Sequence, residues 1–254
     1  MGLFDKKYCD VCGERIGLLG NRKLEDGNLC KDCARKLSPW FSERRNSSVN
    51  EIKRQLEYRE ENRGRVEAFH ITRTLGSGTK LLLDEDAGLF MVTSAKNIAE
   101  ANPDVLALSD VTGCTLDVEE SSKELLREDK DGNEVSYNPP RYEYSYDFYI
   151  IVNVNNPYFN EMRFRINPNS VEISPPPSIR PGVTLRFNPE TNAEYKKYKQ
   201  LGEEIRQILV KVRDDAREKI EQAAAPKTAV SCPYCGATTT PDASGCCEYC
   251  GGAL

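Results

Sequence analysis

Ten cysteines punctuate the 254-residue chain, and eight of them fall into four C-x2-C pairs: Cys9/Cys12, Cys30/Cys33, Cys232/Cys235 and Cys247/Cys250. A C-x2-C pair supplies one corner of a sulfur tetrahedron, and two corners close a four-thiolate site of the kind zinc prefers. Seventeen residues separate Cys12 from Cys30, and 11 separate Cys235 from Cys247. Both spacings suit a site closed within one small module. Pairing across the chain, such as Cys9 with Cys232, would close a loop of more than 200 residues at a larger entropy cost. Two ions are therefore expected, one per four-cysteine site. Zinc is the default metal; iron is the alternative, because sulfur-only tetrahedra discriminate poorly.

The C-terminal stretch CPYCGATTTPDASGCCEYCGG holds five cysteines for four ligand places. Cys247 and Cys250 repeat the C-x-Y-C-G pattern of Cys232 and Cys235, with Tyr249 matching Tyr234 and Gly251 matching Gly236. That repeat predicts two equivalent knuckles, each closed by a glycine that tolerates positive φ. Cys246 becomes the spare thiol. The N-terminal corners differ from one another. Gly13 follows Cys12, whereas Cys33 is followed by Ala34-Arg35-Lys36-Leu37, all good helix formers. The second pair is thus expected on the first turn of a short helix over 31–37, where the helix dipole favours thiolates. Asp26-Gly27 reads as the turn of a hairpin between the pairs.

The elements between the two cysteine modules follow from hydrophobic periodicity. Ser48-x-x-Glu51 is a capping box, and Val49, Ile52 and Leu56 follow at helical spacing. A charged connector helix over about 49–62 is expected. Trp40 and Phe41 are expected to cover the metal module's core, with a partner-binding anchor as the alternative. From Val66 the period changes to two, and strands are expected at 66–74, 79–86, 88–94, 110–120, 142–154 and 161–166. Residues 128–135 read as an exposed loop or hairpin tip, and Ser174–Gly182 is too rich in proline for a regular element. A long amphipathic helix is expected over about 189–223, with Tyr195, Tyr198, Leu201, Ile205, Leu209 and Val212 on its apolar face.

Charge and composition narrow the function. The net charge is −5, distributed as +3 over residues 1–63, −7 over 64–188 and −1 over 189–254. An acidic middle argues against broad phosphate-backbone binding there. Apolar runs are too short for a membrane span, and no signal-peptide core precedes the first cysteines. A cytoplasmic protein is expected, where thiols stay reduced. The Met-Gly start lacks the Ser or Thr that myristoylation wants at position 6, which is Lys6. No catalytic constellation is evident. His70, the one histidine, falls inside a strand pattern. Leu75–Lys80 lacks phosphate-loop spacing, Asp129–Glu134 lacks the twelve-residue calcium pattern, and Cys114 reads as a small buried hydrophobe.

The stretch YCDVCGERIGLLGNRKLEDGNLCKDCARKLS, residues 8–38, resembles the bacterial zinc-finger module called domain of unknown function 4428. The C-x2-C-G, the DG hairpin and LCKDCARKLS carry the likeness. Proteins with that module often join it to a pleckstrin-homology-like (PH-like) domain and sometimes to a C-terminal ribbon. The resemblance implies a bacterial cytosolic protein without implying a mechanism.

The expected fold is α+β. A treble-clef-like four-cysteine zinc module (1–41) and a helical connector (42–64) precede a mostly antiparallel PH-like or GRAM-like β domain, a bent sheet or small barrel capped by its C-terminal helix (65–223). A linker (224–230) and a zinc ribbon (231–254) follow. The expected function is a non-enzymatic zinc-binding adaptor with a protein or membrane-associated partner. The alternatives are nucleic-acid binding, through Arg44, Arg45, Lys53 and Arg54 or the ribbon, and thiol redox sensing through Cys246.

Overall fold

The computed structural model of the protein describes residues 6–175, 188–224, 229–242 and 244–254. Most of the proline-rich stretch and residues 225–228 of the expected linker lie outside them. The chain divides into two units, Met1–Asp214 and Asp215–Leu254.

The first unit begins with four two-residue strands, β1 (Lys7–Tyr8), β2 (Arg15–Ile16), β3 (Arg22–Lys23) and β4 (Asn28–Leu29), paired β1 with β2 and β3 with β4. Helix α1 (Lys31–Arg35) follows, capped by Cys30. Helix α2 (Val49–Ala68) opens on the expected capping box: the Ser48 N–H donates to Glu51 Oε2 at 2.7 Å, and the Glu51 N–H donates to Ser48 Oγ at 3.3 Å. It runs past the expected end at about residue 62, because Val66 is buried with Leu82, Met91 and Val105 of the β domain. At its other end, α2 completes the cysteine module. Ile52 is fully buried among Ile16, Leu24, Leu29 and Leu37, with Val49, Leu56 and Phe41 packed alongside. The helix expected as a connector is therefore shared by two cores.

Among the described residues, two antiparallel four-stranded sheets follow in this unit. The first has the order β5 (Arg73–Leu75), β6 (Lys80–Asp84), β7 (Leu89–Thr93), β8 (Leu106–Ala107), with helix α3 (Ile98–Ala101) before β8. The strand expected at 66–74 is a correction: its first residues finish α2, and His70 lies outside any strand, exposed, its N–H donating to Asp84 Oδ2 at 2.9 Å. The second sheet is built on two long strands, β9 (Val111–Glu128) and β10 (Glu134–Val154). β9 pairs along one edge of β10. On the other edge, β11 (Glu161–Arg165) pairs with Tyr149–Asn153 and β12 (Val171–Ile173) pairs with Tyr144–Tyr146. Asn167 spans the break between those two ladders: its Oδ1 accepts from the Phe148 N–H at 2.8 Å, and its Nδ2 donates to the Tyr146 carbonyl at 3.1 Å. Such substitution keeps buried backbone groups paired where a ladder is interrupted. Among the described residues, neither sheet closes on itself.

Alternation along β10 places Tyr146, Phe148, Ile150, Val152 and Val154 on one buried face. Helix α4 (Ala193–Ala224) lies on that face through its first turns. The Tyr195 ring stands 5.0 Å from those of both Tyr146 and Phe148, and Tyr198 lies 5.9 Å from Phe148. Ile205 and Leu209 are fully buried. Gly202 permits the close approach, since a Cβ there would sit 2.5 Å from Leu116 Cδ1 of β9. Alanine gains about 1 kcal/mol in helix propensity over glycine, but overpacking costs about 1–3 kcal/mol. Gly202→Ala is therefore expected to destabilise by about 1 kcal/mol in urea unfolding, and Leu116→Ala in the same chain should remove that extra cost. A stabilising Gly202→Ala would refute the packing argument.

A buried polar cluster joins the elements. Arg59 Nη1 donates to Asp104 Oδ1 at 2.7 Å, and the two side chains are 7% and 0% exposed. Ser38 Oγ donates to Asp104 Oδ2 at 2.9 Å. Arg59 also reaches the carbonyls of Lys36, at 3.2 Å, and Asn102. Asn62 donates to the Pro103 carbonyl at 2.7 Å and accepts from the Val105 N–H at 2.9 Å. One arginine thus ties the tail of the cysteine module, α2 and the 102–105 loop together. Arg59 continues the helical spacing of Ile52 and Leu56, but nothing local marks a charged side chain there as buried: the partners of Arg59 and Asn62 in the 102–105 loop lie some 40 residues away.

In the second unit, the end of α4 is followed by β13 (Val230–Ser231) and β14 (Thr238–Thr239), which pair antiparallel, and Cys232, Thr239 and Cys247 are buried.

Candidate metal centres

The first cage is assembled by two different devices. Between Cys9 and Glu14 the backbone forms a knuckle: the Cys9 N–H donates to the Glu14 carbonyl at 2.9 Å, and the Gly13 N–H donates to the Cys9 carbonyl at 2.8 Å. Gly13 holds φ +76°, a left-handed conformation that suits glycine. The opposite corner is the N-terminus of α1, where the Cys33 N–H donates to Cys30 Sγ at 3.3 Å. The Cys30 N–H reaches across to Cys9 Sγ at 3.3 Å. Cys9, Cys12, Cys30 and Cys33 bring all four Sγ atoms within 4.8 Å of one another.

The second cage is two copies of the same knuckle. The Cys232 N–H donates to the Ala237 carbonyl at 2.8 Å and the Cys247 N–H to the Gly252 carbonyl at 2.7 Å; the Gly236 and Gly251 N–H groups return to Cys232 and Cys247 at 2.9 and 2.8 Å. Gly236 and Gly251 take φ +74° and +72°. Cys232, Cys235, Cys247 and Cys250 place their Sγ atoms within 4.8 Å of one another. Cys246 stays outside this set: its backbone N–H binds Asp242 Oδ1 at 2.9 Å, and its Sγ lies 3.8 Å from the Ser244 carbonyl. Cys114, buried in β9 opposite Val152, is far from either motif in sequence, and burial raises its thiol to about 11.

The donor sets fit a tetrahedral thiolate metal. Sγ–Sγ separations of 3.8 Å (Cys12–Cys30), 3.6 Å (Cys232–Cys250) and 3.7 Å (Cys235–Cys247) are far too long for disulfides. A tetrahedron with metal–sulfur bonds of about 2.3 Å has edges of about 3.8 Å. The electrostatics agree. Burial raises the Cys9 thiol, but N–H groups of Cys12, Cys30 and Val11 outweigh it and bring the thiol down to about 7. Burial and hydrogen bonds from neighbouring cysteines push Cys33 upward. In the second cage, N–H groups of Cys235 and Tyr234 overcome desolvation and lower Cys232 to about 6. The Gly252 N–H pulls Cys250 down, while Cys235 and Cys232 drive it the other way, up to about 12. Four sulfurs this close do not all ionise together unless a divalent cation balances them.

Residues 7–55 match the family described as Domain of unknown function (DUF4428). No curated protein and no solved structure matches the chain. The matched segment extends beyond the cysteines into α2 as far as Gln55, which takes in Val49 and Ile52. That is the part of α2 that closes the core around Cys9 and Cys33. The chain thus carries two four-cysteine sites compatible with metal binding, and no described helix is long and apolar enough to cross a membrane.

Proposed function

We propose that the protein is a non-enzymatic, zinc-binding adaptor of the bacterial cytosol, with one structural zinc in each four-cysteine site. The observation that carries this reading is the surface of the C-terminal module. Its two knuckles present Tyr234 and Tyr249, each 73% exposed, at equivalent positions. Tyrosine is enriched at binding hot spots and supplies a large contact area at small conformational-entropy cost. The order of knuckle, hairpin and helix around the first cage supports a treble-clef-like module. The two open sheets with α4 laid across one of them support a PH-like body.

Affinity capture with the zinc-loaded full chain tests the adaptor role. A specific protein should be retained by the native chain and lost with Tyr234→Ala/Tyr249→Ala, while elemental analysis still finds both zinc ions. Capture of the same proteins by both forms, or of none, would remove this reading. Redox sensing and nucleic-acid binding have weaker anchors. For the first, equal peroxide-driven zinc release from native and Cys246→Ser protein would end the idea.

A further inference from the structure

The link between β2 and β3 is a tight turn, closed by a hydrogen bond from the Gly20 N–H to the Gly17 carbonyl at 3.0 Å. Its two corner residues are Leu18 and Leu19, which are 90% and 88% exposed. Adjacent large apolar side chains this fully in water usually mark a surface that something else covers. Cations surround the turn. Lys7 pairs with Ile16 and Arg15 with Tyr8 in the adjoining ladder, and Arg22 and Lys23 follow the turn directly. Arg22 Nη1 folds back to the Leu19 carbonyl at 3.4 Å. Arg44 Nη1 donates to the Lys23 carbonyl at 2.9 Å, bringing the 43–46 turn alongside. Desolvation, then the nearby charges of Arg22 and Arg45, lowers the Arg44 guanidinium below its ordinary range, so the three arginines share one patch. Among the described residues, none of Arg22, Arg44 and Arg45 forms an ion pair. The neighbouring carboxylates Asp10 and Asp26 are occupied by the backbone N–H groups of Asn28 and Val49, each at 2.7 Å.

We propose that the Leu18–Leu19 turn and the Arg22, Arg44 and Arg45 patch dock the N-terminal module on an anionic membrane surface. The geometry selects this occupant. Leucines at a projecting turn enter a deformable apolar medium, while arginines behind them meet lipid phosphates at the interface. A nucleic acid would use the arginines but gain little from leucines, which offer no stacking face. The zinc cage lies one strand away through Cys9 and Cys12, so the turn is held on a metal-braced frame.

Vesicle flotation of the zinc-loaded full chain tests this. Binding is expected to vesicles of phosphatidylcholine mixed with phosphatidylglycerol and not to phosphatidylcholine alone. Leu18→Ser/Leu19→Ser should weaken it by at least about tenfold. Arg45→Gln, an exposed position, should weaken it by about fivefold, as should Arg22→Gln. Zinc content and circular dichroism of each variant establish that the fold is kept. The proposal fails if anionic vesicles are not bound, or if the leucine variant binds as well as the native chain. It also fails if a single-stranded oligonucleotide is bound instead, with dependence on the arginines and none on the leucines.

Discussion

Cys247→Ser is expected to lower bound zinc from two ions per chain to one and to unfold residues 229–254, while Cys246→Ser keeps both ions and the fold. The reason is the small apolar content of this module. Among the described residues of 229–254, those buried are Cys232, Thr239 and Cys247, two of which belong to the cage itself. Ordering each residue costs about 1–2 kcal/mol of backbone entropy, and so few buried side chains cannot offset that. A structural zinc in a small finger contributes on the order of 10–16 kcal/mol near neutral pH, enough to decide whether the module folds. Cys246 is adjacent to Cys247 in sequence, but its N–H is committed to Asp242 and its backbone bridges Ala253. Moving it into the cage would require the second knuckle to re-form one residue earlier. Elemental analysis with proton NMR of the two variants checks the expectation. Two ions in the Cys247→Ser protein, or one in Cys246→Ser, would show that Cys246 can serve as the ligand.

The second large effect falls on Asp104. Asp104→Ala leaves the Arg59 guanidinium buried without its partner, a change that typically costs about 3–5 kcal/mol. Urea unfolding of the zinc-loaded chain measures it. The double variant Arg59→Met/Asp104→Leu should recover most of the loss, because burying a charge pair is itself costly and an apolar pair of similar volume is not. A cost below about 1 kcal/mol for Asp104→Ala would mean that water reaches Arg59. The ionisation of Asp104 has a matching sign. Burial raises its carboxyl above the ordinary range, against the opposing pull of Arg59 and Ser38. With the folded value above the unfolded one, its contribution is fully present at acid pH below the unfolded carboxylate range and diminishes as pH rises through the folded value. Asp104→Asn should remove that part of the slope.

What could be read in the chain was whatever short-range chemistry dictates. C-x2-C spacing and following glycines predict knuckles, and the structure draws Cys9, Cys12, Cys30 and Cys33 into one cage and Cys232, Cys235, Cys247 and Cys250 into another. The repeat of Tyr and Gly around Cys235 and Cys250 separates Cys247 from Cys246 on sequence alone. The Ser48 box and the alternation along β10 are equally local, since one spans four residues and the other has a period of two. Tertiary structure decided the rest. α2 reads as a charged connector because Arg59 and Asn62 carry polar side chains; only the arrival of the 102–105 loop and of Lys36 and Ser38 gives those side chains partners and buries them. The exposure of Leu18 and Leu19 was likewise invisible, since an apolar pair in a sequence looks the same whether a core takes it or a turn holds it out. Burial is a property of what lies opposite in space, and nothing in the adjacent residues encodes it.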